Sequence, residues 1–74
     1  MNKTTDQLVR IAAAGGGFYV DTSNKTTDQL VRIAAAASRS GAKIVVTGAS
    51  NKTTDQLVRI AAAGKGCVMF DLSE

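Results

Sequence analysis

The sequence predicts an α/β fold in the order αβαβαβ, with three short strands paired in parallel in a single small domain. Three observations lead there. Thirteen residues, Asn-Lys-Thr-Thr-Asp-Gln-Leu-Val-Arg-Ile-Ala-Ala-Ala, recur unchanged at 2–14, 24–36 and 51–63 and fill 39 of the 74 positions. A repeat that occupies half of a chain dictates its architecture. The unit has the apolar spacing of a helix, whereas the segments after each copy are rich in β-branched and aromatic residues. About twenty residues containing a helix separate successive β segments, the crossover length that parallel strands require.

The first helix carries its start signal in Thr4 and Gln7, a Ser/Thr-x-x-Glu/Gln capping box. Asp6 lies in the first turn, where the helix dipole favours a negative charge. It also precedes Arg10 by four residues, the spacing of a surface ion pair. Leu8, Val9, Ile11, Ala12 and Ala13 form a broad apolar face, and Gly15 supplies the stop. Phe18–Asp21 is the first strand. The second helix begins at Thr26 with Gln29, runs on through Ala37 and Ser38, and stops near Gly41; residues 43–47 form the second strand. The third helix begins at Thr53 with Gln56 and stops at Gly64, and residues 67–72 form the third strand. The units are 1–23, 24–50 and 51–74.

Aligning the strands places Phe18, Ile44 and Val68 in one row and Val20, Val46 and Phe70 in another. Period-two alternation puts all six on one face, which is wholly apolar. The other face carries Tyr19, Val45 and Met69, surrounded by Asp21, Lys43, Thr47, Cys67 and Asp71. Identical helices call for identical surroundings, so all three belong on the first face. Right-handed crossovers give that arrangement with strand order 1-2-3; the alternative is order 2-1-3 with helices on both faces. Parallel sheets are rarely left open on one side. The Tyr19–Val45–Met69 row therefore predicts self-association as a homodimer or larger assembly, face to face, through the edges of strands 1 and 3, or by exchange of the first helix.

Composition narrows the partners. Each repeat carries one lysine, one aspartate and one arginine, and the three copies account for the net charge of +3. Outside them Arg39, Lys43 and Lys65 balance Asp21, Asp71 and Glu74. The basic excess is a copied helix surface rather than a patch for phosphates, so no nucleic acid partner is expected. One cysteine and no histidine exclude an internal disulfide and disfavour a zinc site. No apolar run approaches the roughly 18 residues of a membrane span. The chain opens directly on a repeat, so no signal peptide and a cytoplasmic, recombinant setting are expected.

Chemistry belongs at the carboxyl ends of parallel strands, beside helix N-termini. There Ser23, Lys25 and Thr26, and again Ser50, Lys52 and Thr53, form a hydroxyl-rich loop with a lysine, a candidate weak phosphate or nucleotide site. The competing reading is capping, in which Thr and Asn satisfy the orphan amides themselves. Asp21 and Asp71 are the pair of strand-end carboxylates. As polar strand ends they imply no acid–base chemistry, and Cys67, without histidine, reads as a small packing residue. No catalytic residue, cofactor or metal is expected.

Three short stretches are similar to known families, each over less than a fifth of the chain. Val45-Val46-Thr47-Gly48-Ala49-Ser50 resembles the first-strand turn of short-chain dehydrogenases, but Asn51, Lys52 and Thr53 stand where further glycines would admit a dinucleotide. Lys52-Thr53-Thr54 resembles the end of a P-loop, with Asn51 in place of the glycine before the lysine. The stretch from Thr4 to Gly17 resembles the first helix and loop of TAL-effector DNA-binding repeats, a family with a second helix where this chain has strands. None carries a functional residue over. Identity at exposed positions such as Lys3, Lys25 and Lys52 instead points to a designed or sequence-symmetrised α/β repeat protein, a self-associating scaffold without catalysis.

Overall fold

The computed structural model describes residues 4–73, so Met1, Asn2, Lys3 and Glu74 lie outside it. Helices α1 (Thr5–Ala13), α2 (Thr27–Ser40) and α3 (Thr54–Gly64) alternate with strands β1 (Phe18–Asp21), β2 (Ile44–Thr47) and β3 (Val68–Phe70). The α/β class and the αβαβαβ order are those the repeat implies.

Each helix starts where its capping box places it. The Gln7 amide donates to Thr4 Oγ1 at 3.2 Å, and the Thr4 amide donates back to Gln7 Oε1 at 3.0 Å. Thr26 with Gln29 and Thr53 with Gln56 repeat both bonds. Thr26→Ala is expected to lower the unfolding free energy by about 1 kcal/mol in denaturant melts. A change within error of zero would show that the box adds nothing to α2.

The helix ends differ. Gly15 (φ +98°) and Gly41 (φ +82°) take the left-handed conformation after α1 and α2, as the sequence implies. Gly64 does not. It is the last, buried residue of α3, and Lys65 turns the chain at φ +49°. A Cβ on Gly64 would lie 2.4 Å from Val68 Cγ2. This glycine serves the close approach of α3 to β3, and Lys65 bears the cost of the turn.

The strands pair in parallel in the order β1-β2-β3, which rules out 2-1-3. Phe18, Ile44 and Val68 share a register row, as do Tyr19, Val45 and Met69, and Val20, Val46 and Phe70. The expected strands 43–47 and 67–72 shorten to the central residues, but their flanks still bond across the sheet. The Phe18 amide donates to the Lys43 carbonyl at 3.2 Å, Ile44 to Cys67 at 2.8 Å, and Asp71 to Val46 at 2.8 Å. Leu72 lies beyond the ladder and is exposed.

One core joins helices and sheet. Leu8, Ala12, Leu30, Ile33, Ala34 and Ile60 pack with Val20, Ile44 and Val46, and α2 packs against both α1 and α3. Tyr19 and Met69, on the other face, are exposed. Ile44 and Val46 on central β2 are buried; on the edge strands Phe18, Val68 and Phe70 are only half-buried, but Val20 is as buried as the β2 pair.

The expected ion pair within each helix is not formed. Asp6 reaches across to Arg32 of α2 at 2.8 Å, and Asp28 reaches Arg59 of α3 at 2.9 Å. Side-by-side helices bring the aspartate of one unit beside the arginine of the next, and that contact replaces Asp6–Arg10. Two ion pairs thus mark two equivalent helix–helix interfaces.

Candidate functional site

The carboxyl edge of the sheet is closed by short 3-10 turns, Thr22–Asn24 and Ala49–Asn51, which lead into α2 and α3. The turns are tied to the sheet and to each other. Buried Thr22 donates its hydroxyl to the Gly48 carbonyl at 2.9 Å, and the Ala49 amide donates to the Asp71 carbonyl at 3.4 Å. The Ser23 amide donates to the Asp21 carboxylate at 2.8 Å. Asp21 is thus a local cap.

The candidate phosphate residues fall into two separate sets, one at the start of each helix. Ser23 and Thr26 are exposed and Lys25 half-buried before α2; Ser50 and Thr53 are exposed and Lys52 half-buried before α3. Thr26 Oγ1 accepts from Gln29 and Thr53 Oγ1 from Gln56, while the Thr26 and Thr53 amides donate to the glutamine side chains. Two of the donors that an anion would use at each helix start are therefore already engaged.

Asp71, just after β3, copies the role of Asp21. It accepts from the Ser73 hydroxyl and from the Ser73 amide, the latter at 3.0 Å. The Ser73 hydroxyl, then its amide, hold the Asp71 carboxyl below the usual aspartate range, against a smaller opposing effect of burial. A general acid needs the opposite displacement. Cys67 is buried just before β3, with its amide on the Gly64 carbonyl. Among the described residues no three His, Cys, Asp or Glu side chains gather as a metal site, and no helix is long and apolar enough to cross a membrane.

No protein-family model, curated protein or solved structure matches the chain.

Two surfaces are better formed than any polar cluster. The first is the open sheet face. Tyr19, Val45 and Met69 sit side by side across the three strands, with Tyr19 67% and Met69 58% exposed and Val45 half-buried. The second is an open groove of about 390 Å³ on the outer side of α1, lined by Gln7, Arg10, Ile11 and Ala14. Sequence reasoning did not find the groove. Its four positions recur in every unit, with Ile11 read as part of the apolar helix face and Gln7 as a capping residue, and only the order of the helices shows which copy stays uncovered.

Proposed function

We propose that the chain is a structural module: an idealised or engineered α/β repeat scaffold that associates with itself and carries no catalysis. The observation supporting this reading best is the Tyr19–Val45–Met69 row, an apolar stripe across a parallel sheet whose other face packs its Val20, Ile44 and Val46 into the core. Parallel strands ordinarily have cover on both sides, and a domain of this size buries only about 60% of its unfolded surface. Two-fold pairing of the open faces sets each row against its mate and adds apolar burial that one chain lacks. The polar groups point the same way. Asp21 and Asp71 serve as turn caps, and the helix starts are occupied by their own capping boxes.

Sedimentation equilibrium at micromolar concentration tests the reading, with a dimer or larger species expected. Val45→Lys places a charge at the centre of the stripe and is expected to dissociate face-paired species. A compact monomer that Val45→Lys leaves unchanged would overturn the proposal.

A further inference from the structure

We infer that the two ends of the helix layer are complementary halves of one interface, so that α3 of one copy docks on α1 of the next, head to tail. The inference rests on the self-association proposed above and names a second route for it.

The argument comes from comparing identical residues in the three units. Each helix has two flanks. The flank toward the next unit carries the threonine, leucine and alanine of Thr5, Leu8 and Ala12. These are buried in α1, and Thr27, Leu30 and Ala34 are buried in α2. In α3, which has no further helix packed on that flank in the structure, Thr54 and Ala61 are exposed and Leu57 is only half-buried. The flank toward the preceding unit carries isoleucine. Ile33 and Ile60 are 1% and 0% exposed, but Ile11, with no helix packed on that flank among the described residues, is 40% exposed above the groove. At these four positions the change in burial falls on the one helix that lacks the relevant neighbour in the structure.

The charges follow the same rule. Asp6 pairs with Arg32 and Asp28 with Arg59. Asp55 on α3 and Arg10 on α1 are the members of this set with no ion pair among the described residues. Docking a second copy in the internal geometry sets Asp55 against the incoming Arg10 and seats the Leu57 flank over Ile11 in the groove. It also continues the sheet. The register Phe18–Ile44–Val68 extends from Val68 to Phe18 of the next copy, pairing two edges that are open templates for another strand. Such a contact is heterologous and propagates into rings or filaments, unlike the closed two-fold pairing of the sheet faces.

The test uses charge reversal on the full chain, followed by sedimentation velocity across salt concentrations. Asp55→Arg and Arg10→Asp, each alone, oppose like charges and are expected to weaken head-to-tail addition by about tenfold. The double variant Asp55→Arg/Arg10→Asp restores opposite charges and is expected to recover it. Circular dichroism checks that each variant stays folded, and Ile11→Lys, which blocks the groove without touching either charge, is expected to stop addition. Species beyond the dimer that vanish in the single variants and return in the double variant support the inference. Association that persists when Val45→Lys removes face pairing, and is then lost on Asp55→Arg, also supports it. A dimer dissolved by Val45→Lys but indifferent to all three charge variants overturns head-to-tail docking and leaves face pairing standing. A monomeric wild type overturns both.

Discussion

Ile44→Ala is expected to remove about 2–5 kcal/mol of stability, the range for deleting a buried isoleucine side chain down to its Cβ. A 74-residue domain has about 4–11 kcal/mol in all at typical stability per residue, so the variant stands near its unfolding threshold at room temperature. The reason is position. Ile44 lies on the central strand, 1% exposed, with β1 on one side and β3 on the other. Its edge counterparts Phe18 and Val68 are half-buried, so truncating either leaves a smaller cavity that solvent partly fills. Urea unfolding followed by circular dichroism checks the ranking. A smaller loss at Ile44 than at Val68 would contradict a central β2.

The second large effect separates residues that the sequence makes identical. Ile33→Ala and Ile60→Ala are each expected to cost about 2–5 kcal/mol, whereas Ile11→Ala is expected to cost no more than about 1 kcal/mol. The three isoleucines occupy the same position of the same thirteen-residue unit. Ile33 and Ile60 are buried in the core, while Ile11 borders the open groove on α1. The comparison belongs at protein concentrations low enough that the monomer dominates, because docking of a second copy would bury Ile11 as well. Equal losses at all three positions under those conditions would show that α1 is covered within one chain.

Much of the fold was legible because local rules and the repeat agreed. The capping boxes at Thr4, Thr26 and Thr53 fixed three helix starts, since the bonds that define them span only three residues. The strand register followed from matching Phe18 with Ile44 and Val68, because a slip of one residue would turn every apolar side chain away from the helices. The order β1-β2-β3 followed from identical helices needing one common face.

Gly64 and the aspartates were not legible. Gly64 read as a helix stop by residue type alone, but its role is set by Val68 pressing against it, a contact made only once α3 lies on β3. The spacing of Asp6 and Arg10 satisfied a rule for isolated helices, yet Asp6 bonds to Arg32, 26 residues away. On an exposed helix the partner is chosen by whichever opposite charge the packing brings within reach, and the difference between such pairs is under about 1 kcal/mol.

By itself, then, the sequence determined where each helix begins, which side of each strand is apolar and in what order the elements come, because those features rest on short-range bonds and on side-chain periodicity. Three identical strings carry identical local information. Only the tertiary structure decided that Ile33 is core and Ile11 surface, that Ala34 is buried and Ala61 exposed, and that Asp55 and Arg10 are left at opposite ends. Burial is a property of neighbours, and in a row of three units only the middle one has a neighbour on both sides.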